Sequence, residues 1–91
     1  MTYVREESVE TYFKRIAEAQ GWVVRKLAWP GRRNAPDRVL MRDGGRLVFV
    51  ELKAPKGVLR IGQVREHARL RKLGFRVAVL WNRDQVDRFF S

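Results

Sequence analysis

Ninety-one residues fit one small domain, 1–91, and an apolar share of 45% allows it a modest core. With no cysteine and a single histidine, a disulfide framework, a thiolate metal site, a cysteine nucleophile and an unaided zinc site are excluded. Twenty Lys and Arg against ten Asp and Glu leave a net charge of +10, and fifteen of the cations are arginine. The planar arginine fork suits phosphate, so the expected partner is a polyanion, nucleic acid first. No apolar run approaches the roughly 20 residues that span a bilayer, and Met1 to Glu10 is too charged for a secretory signal. A cytoplasmic protein with no membrane partner is the default expectation.

In chain order, Val9, Phe13, Ile16 and Gln20 share one stripe and predict a helix over 5–20, stopped by Gly21. Residues 22–27 read as a strand. The loop from Trp29 to Pro36 holds two prolines and a glycine. Asp37 opens a second strand, 38–41. Asp43-Gly44-Gly45 is a tight-turn signal, and Arg46 to Lys53 forms the third strand, so a hairpin is expected. A helix follows over 62–73, with Leu70 and Leu73 on its buried side and Gly74 ending it. The last elements are a strand over 76–81 and a helix over 83–90 that sets Val86, Phe89 and Phe90 against the core. Phe89, Phe90 and Trp81 can equally belong to an interface. The order αβββαβα, with a helix between the third and fourth strands, predicts an α/β fold. Its mixed four-stranded sheet has an antiparallel meander first and a parallel pair last, flanked by helices.

The third strand breaks a local rule. Leu47-Val48-Phe49-Val50 is apolar at every position, as in a strand covered on both faces, yet it runs straight into Glu51-Leu52-Lys53. Alternation points Glu51 and Lys53 the same way and Leu52 the opposite way, with Val48 and Val50. An anion and a cation at the end of a buried strand cost several kcal/mol per ion to desolvate unless something compensates. Charges at a strand's end are more often simply solvated. Asp37 changes that reading: thirteen residues lie between it and Glu51, and the hairpin can bring the two side by side. Two carboxylates with water and a backbone carbonyl suit an octahedral Mg²⁺. A lysine beside them can orient or deprotonate a water and stabilise developing negative charge. These parts suffice for phosphodiester hydrolysis.

Pro36-Asp37 followed by Glu51-Leu52-Lys53 resembles the PD-(D/E)xK nuclease signature. Gly31-Arg32-Arg33-Asn34-Ala35-Pro36-Asp37-Arg38, Val50-Glu51-Leu52-Lys53-Ala54-Pro55 and Gln63-Val64-Arg65-Glu66-His67 together resemble the small stand-alone virus-type replication-repair nuclease (VRR-NUC) domains common in bacteriophages. The likeness spans about 5–90 and implies a restriction-endonuclease-like core. It further implies that Asp37 and Glu51 bind the metal, with the Leu52 carbonyl as a further ligand, that Lys53 is catalytic, and that Gln63 helps to place Lys53 or the attacking water. It also implies a glutamate from the first helix. On a helical wheel Glu10 and Glu6 both flank the apolar stripe and Glu7 points away. Glu10 is preferred because related archaeal junction-resolving enzymes carry their helix glutamate at a similar distance from the helix-ending glycine, and Glu6 is the reserve.

Arg32 and Arg33 before the aspartate, and Lys56 and Arg60 after the catalytic strand, are candidates to grip DNA phosphates, against ordinary surface charge. Trp29 is expected to pack under its loop rather than stack on a base. Arg65, Arg69, Lys72 and Arg76 form either a solvated face or part of a DNA track. His67 faces inward, as a core histidine or a phosphate contact. The resemblance implies a Mg²⁺-dependent endonuclease, with Mn²⁺ able to substitute, that leaves 5′-phosphates in a bacterial or phage-infected cell. Nothing in the core motif reads bases, so structure-selective cutting is expected. Cleavage of four-way (Holliday) junctions by a C2 homodimer is the specific form. The alternatives are a non-catalytic nucleic-acid-binding module and a small subunit of a replication or packaging complex.

Overall fold

The computed structural model describes residues 7–91. Helix α1 (Val9–Ala19) begins where Ser8 turns extended and its hydroxyl accepts from Thr11 N at 3.1 Å. The expected start at residue 5 is therefore corrected: residues 7 and 8 precede the helix, and residues 5 and 6, including the reserve Glu6, lie outside the described residues. Glu7 is taken by Arg15 instead, at 3.0 Å. Strands β1 (Val23–Lys26), β2 (Arg38–Arg42) and β3 (Arg46–Leu52) form the antiparallel meander. Helix α2 (Ile61–Lys72) crosses over to β4 (Arg76–Leu80), parallel to β3, and α3 (Arg83–Phe90) closes the fold from an Asn82 cap. The sheet order is β1-β2-β3-β4, as the element order anticipates.

The β2–β3 connection is a 3-10 turn at Asp43–Gly45 whose two glycines have φ of 80° and 70°, where a side chain would be strained. That turn fixes the register. Arg38 opposes Val50, so the next residues outward, Asp37 and Glu51, are brought level at the hairpin's open end.

Period-two alternation then sorts β3 between two layers. Val48, Val50 and Leu52 join Leu40, Val24 and Leu80 beneath Phe13 and Ala17 of α1 and Val86 of α3, with Phe89 and Phe90 packed at the edge. Burial of such a side chain contributes about 1.5–3 kcal/mol. Phe49 and Leu47 face the other way, with Val39, Val77, Trp29 and Leu70 of α2. The buried side of α2 is Gln63, Glu66, His67 and Leu70. Leu73, expected there, is 74% exposed, because the helix stops at Lys72 and Gly74 (φ 99°) turns the chain away. Three of α2's four buried residues are polar, and that is what sets the second layer apart. Among the described residues no helix is long and apolar enough to cross a membrane.

Candidate active site

Asp37 and Glu51 meet at the open end of the β2–β3 hairpin. Leu52 N–H donates to Asp37 Oδ2 at 3.0 Å, and the Asp37 carbonyl accepts from Leu27 N at 3.1 Å, so the aspartate is pinned on both sides. Glu51 is 2% exposed, and its Oε1 has no hydrogen-bond partner. Burial, and then the hydrogen bond and charge of Asp37, push its carboxyl up to about 8, against the opposing pull of Lys53 and Arg60. Glu51, buried beside Asp37, thus resists ionising.

Gln63, in the first turn of α2, connects the parts. Its Oε1 accepts from Lys53 Nζ at 3.1 Å and from Arg60 N at 2.9 Å, and its Nε2 donates to Glu51 Oε2 at 3.4 Å. One amide thus orients the lysine, caps the helix and steadies the buried carboxylate. His67, one turn on, is 1% exposed, with Nε2 lying 3.4 Å from Glu51 Oε1 in poor alignment and Nδ1 unpaired. Burial, then the charge of Arg71, hold its pKa below the ordinary value, so it is a neutral core imidazole away from solvent.

The structure therefore brings Asp37, Glu51, Lys53 and Gln63 together. Glu10 stands at the rim of this group: its carboxylate pairs with Arg38 and lines, with Val9, Leu52, Lys53, Ala54 and Pro55, a depression of about 270 Å³. Among the described residues no three His, Asp or Glu side chains converge as a ligand set. Arg32 does not reach outward alone. It pairs at 3.2 Å with Glu66, which also accepts from Trp29 Nε1 at 2.8 Å and Arg69 Nε at 3.0 Å. Trp29 packs against Phe49, edge to face. Arg33 and Arg60 line a cleft beside the site, and Lys56 is exposed on the intervening loop.

Glu66 is the residue that sequence reasoning missed. Burial raises its pKa, but the hydrogen bonds from Arg69, Trp29 and Arg32 outweigh that and hold it below the ordinary range. A charged residue one turn before Leu70, on the same face as Gln63, is the signal that marked it.

An αβββαβα fold with an Asp, Glu and Lys cluster on its central hairpin has the architecture of the PD-(D/E)xK nuclease class. No family model matches the sequence. The chain is 40% identical over 84 residues to "Putative nuclease p44" of Acyrthosiphon pisum secondary endosymbiont phage 1, across 92% of this chain and 90% of that protein. A solved structure described as "VRR_NUC domain" superimposes with a TM-score of 0.84 at 40% identity, over 89% of this chain and 88% of that one. The chain belongs to the VRR-NUC family of nuclease domains.

Proposed function

We propose that this nuclease domain is a Mg²⁺-dependent DNA endonuclease whose catalytic group is Asp37, Glu51, Lys53 and Gln63. The observation that carries the reading is Glu51: a carboxylate 2% exposed, with an unpartnered oxygen, pressed against a second carboxylate beside a lysine. An all-oxygen donor pair fits a hard divalent cation, Mg²⁺ with Mn²⁺ as substitute. Asp37 and Glu51, with the Leu52 carbonyl, would hold it. When bound, the ion supplies Lewis-acid charge to the phosphate and makes a water more acidic.

The chain's own side chains do the rest. Lys53, aimed by Gln63, presents Nζ to a phosphate oxygen as negative charge develops and positions the attacking water. In-line attack leaves a 5′-phosphate. The buried, neutral His67 keeps solvent from the back of Glu51. Glu10 enters the ligand set only by leaving Arg38. The net charge of +10 supports a polyanionic substrate.

The finer reading is structure-selective cutting, four-way junctions in particular, by a homodimer whose two sites face two strands. It is supported by the lack of any base-reading element in the catalytic motif. The test is cleavage of labelled duplex, flap and four-way-junction DNA with Mg²⁺ or with chelator, alongside size-exclusion mass. Mg²⁺-dependent nicking of the junction in preference to duplex supports the reading. DNA binding without cutting would leave only a binding module.

A further inference from the structure

Beside the catalytic group, the loop before β2 and the start of α2 border an open cleft of about 530 Å³ lined by Arg33, Asn34, Arg60 and Gly62. We infer that it is a seat for one backbone phosphate of the polynucleotide, shared by Arg33 and Arg60. This rests on the nuclease reading and deepens it.

Four observations carry the inference. First, Arg32 and Arg69 are bound by Glu66, whereas among the described residues neither Arg33 nor Arg60 forms an ion pair. Two like-charged guanidinium groups lining one cleft repel each other unless an anion lies between them. Second, the floor is built. Asn34 is held at φ 73°, and its amide presses on α2 so closely that a Cβ at position 62 would lie 2.5 Å from Nδ2. This close approach accounts for a glycine inside a helix, which costs about 1 kcal/mol relative to alanine. Third, the lining offers donors suited to an anion: an amide, and two guanidinium forks that match phosphate oxygens bidentately. Fourth, Arg60 N bonds Gln63 Oε1, which also accepts from Lys53, so the seat adjoins the reacting centre by one side chain. The phosphate seated there is a neighbour of the one cut.

Sharing has a measurable signature, because counterion release counts phosphates neutralised, not arginines. Each phosphate contributes about 0.9 to the slope of log affinity against log salt on duplex DNA. The experiment is fluorescence anisotropy of the full chain with a labelled duplex in chelator, so that nothing is cut, across a salt series. Arg33→Gln and Arg60→Gln each weaken binding, and the double variant loses about 0.9 of slope and no more. A loss near 1.8, one phosphate for each arginine, would overturn the seat, as would no loss at all. Arg88→Gln, on the exposed side of α3, leaves the slope unchanged; an equal loss there would reduce the effect to general charge and overturn the inference.

Gly62→Ala drives Asn34 into the cleft without removing a charge and lowers affinity several-fold, and unchanged affinity in a folded variant counts against the seat. Thermal melts check folding. If Gly62→Ala does not fold, the arginine variants, altered only at the surface, decide alone. A wild-type chain with no salt-dependent DNA affinity contradicts the nuclease reading itself, whereas affinity unaffected by both arginines contradicts only the seat.

Discussion

Leu52 donates its backbone N–H to Asp37 Oδ2 at 3.0 Å, across the open end of the hairpin. The bond makes one strand's backbone the holder of the other strand's carboxylate. It fixes Asp37 beside Glu51 in the protein alone, so the structural part of Asp37 can be tested apart from its proposed chemical one.

Asp37→Asn keeps an acceptor for Leu52 N, so stability stays within about 0.5 kcal/mol, while Asp37→Ala loses roughly 1 kcal/mol in a denaturant titration. Both lower DNA cleavage by at least about 10²-fold, since neither offers a charged ligand. Equal stability of the two variants would show that the bond holds nothing.

Glu51 makes apo stability depend on pH. Its carboxyl is raised from the ordinary 4.5 to about 8, by burial first. The fold therefore favours the protonated form: the contribution is whole below the unfolded value and is lost as pH climbs through the folded one. Chelator-treated protein should melt lower at about pH 9 than at about pH 5, and Glu51→Gln should flatten that fall and raise apo stability at the alkaline end by on the order of 1–3 kcal/mol. A divalent cation should stabilise most at high pH. Apo stability that rises toward pH 9 through this residue contradicts the account.

Lys53→Ala lowers cleavage by about 10²–10⁴-fold while DNA affinity, read by anisotropy, changes little. Gln63→Ala releases Lys53 and should cost about 10–100-fold in kcat with a small change in KM. A defect confined to KM would make Gln63 a substrate contact rather than the residue that aims the lysine.

Glu66 ties the Trp29–Asn34 loop to α2. Glu66→Ala leaves Trp29 Nε1 without its acceptor, while the two half-exposed guanidinium groups return to water, and should destabilise by about 1–2 kcal/mol, with a fall in activity because the same loop leads into Asp37. Its lowered pKa means that its contribution is present above the ordinary 4.5 and is lost as pH falls through the folded value. His67, also lowered, adds to the same acid-side loss, beginning below 6.5. Melting curves at acid pH check both, and Glu66→Gln should blunt the effect.

The fold was legible because its punctuation is local. Gly21 and Gly74 end helices, Asp43-Gly44-Gly45 sets the hairpin, and the apolar run ending in Glu51 marks a strand covered on both sides. Pattern fails where a cap or a tertiary partner decides. Ser8 sets the start of α1 through its hydroxyl, and Leu73 falls outside because the chain turns before its place on the buried face. Ala17 is fully buried on the stripe of Phe13, where size rather than hydrophobicity matters. That Asp37, Glu51 and Lys53 converge could be read from pattern and register. The pairing of Glu10 with Arg38, of Arg32 with Glu66, and of Asn34 with Gly62 could not, because each joins elements whose relative placement no local pattern states.

Anomalous diffraction from crystals soaked in Mn²⁺ tests the central claim most directly. The account predicts a peak between Asp37 and Glu51, about 2.0–2.2 Å from a carboxylate oxygen of each, and its disappearance in Glu51→Gln. An empty hairpin mouth in protein that still cuts DNA, or a peak at residues away from this pair, would contradict it.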